Sequence, residues 1–126
     1  MKKFMNSDFE QLAVWKKGCR LAVLLYDMLK NCKDMGLYSQ MTRAAVSIPS
    51  NIAEGAERKT DKDFIHFLYI AKGSAAELRT QLYIARELKI ISPEESKILI
   101  HESKEISKML KGLINALYEQ KPDNPV

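Results

Sequence analysis

One stretch decides the fold, and it reads Gln40-Met41-Thr42-Arg43-Ala44-Ala45-Val46-Ser47-Ile48-Pro49-Ser50-Asn51-Ile52-Ala53-Glu54-Gly55. Apolar residues recur on one face at helical spacing: Met41, Ala45, Ile48, Ile52 and, just beyond the stretch, Ala56. Polar residues follow the opposite face: Gln40, Arg43, Ser47, Asn51, Glu54 and Arg58. The pattern predicts an amphipathic helix over about 38–59, after a break at Met35-Gly36. Pro49 predicts a kink or a break inside it, because proline lacks the amide donor.

Three further segments show the same helical period, which predicts helices over about 8–33, 61–88 and 93–120. Each has a start signal: Ser7 with Glu10, Thr60 with Asp63, and the run Ser92-Pro93-Glu94-Glu95. Four long helices with short links predict an all-α, antiparallel up-down-up-down four-helix bundle. Residues 1–126 are predicted to form this one domain, with a flexible tail over 121–126.

The first helix carries two apolar stripes. One contains Leu12, Trp15, Cys19, Ala22, Tyr26 and Leu29, and the other Val14, Gly18, Leu21, Leu25, Met28 and Cys32. The stripes centre about 115° apart around the helix, so only one can face the core of the bundle. We therefore predict that the second copy of a homo-oligomer covers the other, with the interface at Val14, Leu21, Leu25 and Met28.

Composition and cysteine usage limit the class of protein. With 126 residues, 46% hydrophobic and 29% charged, the chain is long and apolar enough for a single core. No apolar run reaches the roughly 18 residues of a membrane span, and Asp8 and Glu10 interrupt any signal peptide. Cys19 and Cys32 lie about 20 Å apart along one predicted helix, too far to pair. These features favour a cytoplasmic protein with reduced thiols and no membrane partner.

Motifs for metal, phosphate or nucleophilic chemistry are missing or incomplete in the sequence. A di-iron bundle needs an acid three residues before a histidine on each of two helices. Asp63-x-x-His66 fits this spacing, but Ile98 stands where the acid before His101 belongs. His101-Glu102 starts a zinc motif, but Glu105 replaces its second histidine. No glycine-rich phosphate loop and no serine-nucleophile motif is present. We therefore predict no catalytic residues, no metal and no cofactor, and a protein that is not an enzyme.

The polar stripe of the 38–59 helix is short of the lysines that usually cover a solvated face. A strip of similar residues, Ser74, Glu77 and Gln81, lies beside the core seam of the next helix. A solvated face remains one interpretation. Amides, hydroxyls and opposite charges fit a partly buried hydrogen-bond network better, with Arg43 paired to Glu77 or Glu54. The predicted network comprises Gln40, Arg43, Ser47, Asn51, Glu54, Arg58, Glu77 and Gln81, and it would set the register between helices or subunits rather than perform catalysis.

The net charge of +4 lies in the first half of the chain. Residues 1–60 hold ten Lys and Arg against six Asp and Glu, and residues 61–126 hold ten of each. For a monomer this is an ordinary solvated surface. Copies brought together in an oligomer would attract a polyanion. The candidate nucleic-acid-binding residues are Lys2, Lys3, Lys16, Lys17 and Arg20.

The central run Gln40–Gly55 closely resembles the signature of the bacterial four-helix-bundle family named for proteins encoded in 23S rRNA intervening sequences. Further matches are Leu12-x-Val14-Trp15-Lys16, Phe67-Leu68-x-Ile70-Ala71-x-Gly73-Ser74-x-x-Glu77-Leu78-x-Thr80-Gln81-Leu82 and Met109-Leu110-x-Gly112-Leu113-Ile114. The resemblance implies a ring-like homopentamer with no known enzymatic activity. A related branch, the accessory proteins of diversity-generating retroelements, implies binding of nucleic acid and of a protein partner. Thr42 stands where members often carry a second basic residue.

Two functional hypotheses follow. The first is a non-enzymatic homo-oligomer that binds RNA or DNA through phosphates. The alternative is an assembly scaffold or protein-interaction module that binds no nucleic acid. An enzyme ranks last, since only the polar stripe favours it.

Overall fold

The computed structural model describes residues 8–120, which form four α-helices and no strand. The helices are α1 (Ala13–Met28), α2 (Met35–Ala56), α3 (Asp61–Glu87) and α4 (Pro93–Glu119), and a short 3-10 turn, Phe9–Gln11, precedes α1. Consecutive helices contact one another and α1 also contacts α4. This arrangement is a four-helix bundle. The predicted cap at Ser7 and the predicted flexible tail over 121–126 lie outside the described residues.

The starts of α3 and α4 are as predicted, because their caps are local interactions. The Thr60 hydroxyl accepts a hydrogen bond from the Asp63 amide at 3.2 Å. Ser92 and Glu95 form a reciprocal capping box, in which each side chain accepts from the other residue's backbone amide. Each cap binds amide groups that the first turn of a helix leaves without partners.

The bounds of the first two helices differ from the prediction. Helix α1 starts at Ala13, because Asp8 instead caps the 3-10 turn through the Glu10 amide. It ends at Met28, so Cys32 lies beyond it. Helix α2 starts earlier than predicted, and Met35 and Gly36 are its first residues rather than a break. The cause is Asp34, whose carboxylate accepts from the Leu37 amide at 3.0 Å.

Proline 49 lies inside α2 without breaking it. Its ring is buried against Gly18 of α1, where an added Cβ would lie 3.4 Å from both Ile48 Cγ2 and Pro49 Cδ. These are ordinary contact distances, so Gly18 marks where α1 packs directly on the proline ring. The helix continues through Pro49 although proline removes one amide donor.

The core contains the apolar face predicted for α2, together with one apolar face each of α3 and α4. Its largest fully buried side chains are Phe64, Leu21, Leu25, Leu29, Met41, Ile48, Ile52, Leu68, Leu78, Leu82, Leu99 and Ile106. Phe67 of α3 and Leu113 of α4 are only half-buried. Within the described part of the chain, none of the helices combines the length and apolarity that crossing a bilayer requires.

Candidate functional site

The polar stripe of α2 meets the polar strip of α3 at a small hydrogen-bond network. The Ser47 and Ser74 hydroxyls lie 2.8 Å apart, with either able to donate. The Asn51 amide donates to both the carbonyl and the hydroxyl of Ser47, each at 2.9 Å. The network ties Asn51 and Ser47 to α3 and fixes the register of the two helices here.

The charged members of the predicted network are arranged differently. Glu54 pairs with Arg58 one turn later at 3.0 Å, and both side chains are exposed. Arg43 and Glu77 instead line one cleft of about 410 Å³ between α2 and α3, together with Ser39, Gln40, Ala44 and Ser47. The prediction that Arg43 pairs with Glu54 or Glu77 is therefore wrong within residues 8–120, which contain no such ion pair.

Gln81 is the most buried member of the predicted network. Its residue is 6% exposed, and its Oε1 atom has no hydrogen-bond partner in the described part of the chain. A buried carbonyl oxygen without a donor costs stability. Gln81 lies one helical turn after Glu77, which lines the cleft. The unbonded amide oxygen of Gln81 is therefore next to the cleft along α3.

The predicted oligomer interface on α1 is wrong in its choice of stripe. Val14, Leu21 and Leu25 are buried in the core of their own chain, and Met28 packs against that core. Side chains that one chain already covers are not available to a second copy. The outward positions of α1 are those of Val23 and Tyr26, and Val23 is 70% exposed.

The predicted nucleic-acid-binding residues have separate environments. Lys17 forms a 2.7 Å ion pair with Glu102 of α4, and the two side chains are only 23% and 29% exposed. Lys17 therefore joins α1 to α4 rather than facing a ligand. Lys16 and Arg20 are exposed, with no ion-pair partner among residues 8–120. Lys2 and Lys3 lie outside the described residues.

Sequence reasoning missed a second group of basic residues, on α3 and α4. Lys72, Arg79 and Arg86 recur every seven residues on α3, and Lys97, Lys104 and Lys111 do so on α4. Seven residues are about two turns, so each trio shares one face of its helix. The charge count of 61–126 hid these trios, because the acids that cancel them lie at other helix positions. The seven-residue spacing was the available signal.

The remaining candidates are the two cysteines and the side chains that could ligate a metal. Cys19 and Cys32 are free thiols, and each is half-buried. Burial raises the pKa of Cys19 above its usual range, and the nearby Arg20 charge partly offsets that rise. Among residues 8–120, no cluster of three or more His, Cys, Asp or Glu side chains has an arrangement that could hold a metal ion.

Comparison with known proteins identifies the family. The family model described as "23S rRNA-intervening sequence protein" matches residues 10–112. A crystal structure at 1.70 Å of a protein of unknown function from the S23 ribosomal protein family of Bacteroides thetaiotaomicron is similar, with a TM-score of 0.76 and 27% identity. The match covers 81% of this chain and 98% of that one. No curated protein matches. The chain belongs to the 23S rRNA-intervening sequence protein family.

Proposed function

We propose that this protein is a non-enzymatic, cytoplasmic, homo-oligomeric antiparallel bundle that binds RNA or DNA through its phosphates. One observation carries the binding proposal. Exposed cations on α1 and α4, Lys16, Arg20, Lys97, Lys104 and Lys111, have no ion-pair partner among residues 8–120. Such cations release bound counterions when they meet phosphates, which drives association. A pentamer, the subunit number that the resemblance implies, would carry a formal +20, five times +4.

The antiparallel arrangement has support from pairs of contacts. Gly18 lies against Pro49, and Tyr26 lies against Tyr38. Residue numbers therefore increase along α1 in the direction in which they decrease along α2. The same relation holds for Ser47 with Ser74 and Gly55 with Phe67, between α2 and α3. Short connections between long helices favour this topology throughout.

We place the oligomer interface on the α2–α3 face, in place of the α1 stripe. Ile70 and Ile84 stand seven residues before and after Glu77, so all three share one face of α3, and both isoleucines are exposed. Beside them lies the cleft that holds Arg43. Apolar residues around a few charged and amide groups are typical of a protein interface. A second copy would cover Ile70 and Ile84 and pair with Arg43 or Glu77.

Light scattering on charged variants tests the interface. Ile84→Asp places a charge in the proposed contact, and Ile98→Asp places one on α4 as the matched control, since both isoleucines are 47% exposed. We expect Ile84→Asp to dissociate the oligomer and Ile98→Asp to leave it intact. Equal effects of the two substitutions would contradict this placement.

Filter binding against salt tests the nucleic-acid proposal. Generic RNA and DNA should bind the wild-type protein at about 50 mM salt, with an affinity that falls linearly in log–log form as salt rises. No binding, or binding without a salt slope, would contradict it. The second candidate function is then the assembly or protein-interaction module, which the exposed apolar residues Val23, Ile70 and Ile84 favour.

A further inference from the structure

Resting on the nucleic-acid binding proposed above, we infer that the binding surface is the face shared by α3 and α4, and that its ligand is single-stranded nucleic acid. This basic face is defined by Lys72, Arg79, Arg86, Lys97, Lys104 and Lys111. It replaces α1 as the location of the phosphate contacts.

One hydrogen bond joins the two helices within the basic face. Arg79 Nη1 donates to Ser107 Oγ at 3.4 Å, which puts that side of α3 against that side of α4. On α4, Lys104 and Lys111 stand three residues before and four residues after Ser107, and these are neighbouring positions on a helix. On α3, Lys72 and Arg86 share the face of Arg79. Both rows of cations therefore border the same α3–α4 junction.

The six cations of the basic face have no close carboxylate partner within residues 8–120. None of its six cations forms an ion pair among the described residues. Lys97, Lys104 and Lys111 are exposed, while Lys72 and Arg79 are half-buried. Long basic side chains pack their stems along the protein surface while their charged groups stay in water. Each row spans about 21 Å along its helix, which is long enough to contact several successive phosphates.

The outward side of α1 is less suited to phosphates. Asp27 stands seven residues after Arg20, on the same face, and lies 3.8 Å from Lys30. Lys17 is held by Glu102. Carboxylates therefore lie among the cations of α1, and they repel phosphates at close range.

Exposed tyrosines beside the cations select for unpaired bases. Tyr69 and Tyr83 stand three residues before Lys72 and Arg86, and their residues are 51% and 38% exposed. The Arg86 guanidinium lies 5.0 Å from the centroid of the Tyr83 ring. Aromatic rings stack on bases only where the strand leaves a base face uncovered, whereas cations alone bind a duplex as well. The combination favours a single strand over a duplex.

Fluorescence anisotropy with labelled oligonucleotides tests the inference. The probes are single-stranded RNA and DNA of one sequence and the corresponding duplexes. Lys104→Glu with Lys111→Glu reverses two charges on the basic face, and Lys16→Glu with Arg20→Glu makes the same change in net charge on α1. We expect the α4 double variant to weaken single-strand binding roughly tenfold or more, with a salt slope smaller by about 0.7 for each phosphate that the variant no longer neutralises. We expect a much smaller decrease in affinity from the α1 double variant.

A second pair of variants tests the preference for unpaired bases. Tyr69→Leu should weaken single-strand binding about fivefold or more and leave duplex binding unchanged. Tyr26→Leu is the control, since Tyr26 is exposed but packs on Tyr38, between α1 and α2. Circular dichroism melting of each variant separates a defect in binding from a defect in folding.

The outcomes distinguish this inference from the proposed function. If the wild-type protein binds no oligonucleotide at about 50 mM salt, nucleic-acid binding itself fails and the inference fails with it. If the wild-type protein binds but the two double variants lose affinity equally, the basic face is overturned while nucleic-acid binding stands. Duplex binding as tight as single-strand binding, with no effect of Tyr69→Leu, overturns the choice of ligand.

Discussion

Replacing Gly55 by alanine tests the close approach of α2 and α3 that aligns the polar network. A Cβ at Gly55 would lie 2.7 Å from Phe67 Cβ, 3.0 Å from Phe64 Cδ1 and 3.2 Å from the Phe64 carbonyl oxygen. Phe67 Cβ and the Phe64 oxygen belong to or adjoin the backbone of α3, so no side-chain rotation relieves these contacts. The helices must therefore move apart.

The magnitude follows from two opposing effects. Overpacking a filled core costs about 1–3 kcal/mol, or more where backbone must shift. Alanine in place of glycine within a helix returns about 1 kcal/mol. Because backbone must shift here, the upper part of that range applies, and we expect Gly55→Ala to lower the free energy of unfolding by about 1–2 kcal/mol. Each kcal/mol corresponds to a decrease of roughly 3–6 °C in Tm.

Thermal and urea denaturation followed by circular dichroism, at one protein concentration, measures this change. Gly112→Ala on α4 is the matched control, because a Cβ there meets nothing within 4 Å. The control should be more stable than wild type by up to about 1 kcal/mol. If Gly55→Ala is as stable as Gly112→Ala, the close contact between α2 and α3 does not have the predicted cost.

Two further predictions concern α1. Lys17→Ala should lower the free energy of unfolding by about 1–2 kcal/mol, because its ion pair with Glu102 is partly buried. Lys108→Ala is the control, since Lys108 forms an exposed pair with Glu105. It should change the free energy of unfolding by less than about 0.5 kcal/mol in the same denaturation assay. The raised pKa of Cys19 places its alkylation by iodoacetamide, followed by mass spectrometry, at a higher pH than that of a free thiol. A labelling profile like that of a free thiol would contradict the raised pKa. Because the folded-state pKa is the higher one, the contribution of Cys19 to stability is present below the unfolded thiol pKa and is lost as pH rises through the folded pKa.

Local signals in the sequence predicted the helices well where a single cap decides them. Thr60 and Ser92 each start a helix as predicted, since the hydroxyl and the amide it binds are three residues apart. The sequence predicts a break at Met35 and Gly36, because glycine disfavours helix, whereas the Asp34 cap sets the start of α2 ahead of them. Pro49 shows the same limit: the sequence predicts a kink or a break, yet α2 continues through it, and the proline ring packs against Gly18 of another helix.

The site depended more on tertiary structure. Both stripes of α1 are apolar, and only packing decided that Leu21 and Leu25 face the core. From the sequence, Lys17 is a candidate surface cation. In the structure it pairs with Glu102, which α4 brings beside it. A charge count by segment does not find the basic face, because residues 61–126 are neutral in total. The face is found only when charges are counted separately for each face of a helix. Ser47, Asn51 and Ser74 were within reach of the sequence, because the polar stripe has helical spacing.

The proposed interface and the accumulated charge both depend on assembly of the chain into an oligomer. The most direct measurement is the mass in solution by size exclusion with light scattering at micromolar concentration. We expect the mass of an oligomer, which is about 72 kDa for five copies of the 14.4 kDa chain. A mass of 14.4 kDa under these conditions, that of a monomer, would contradict it.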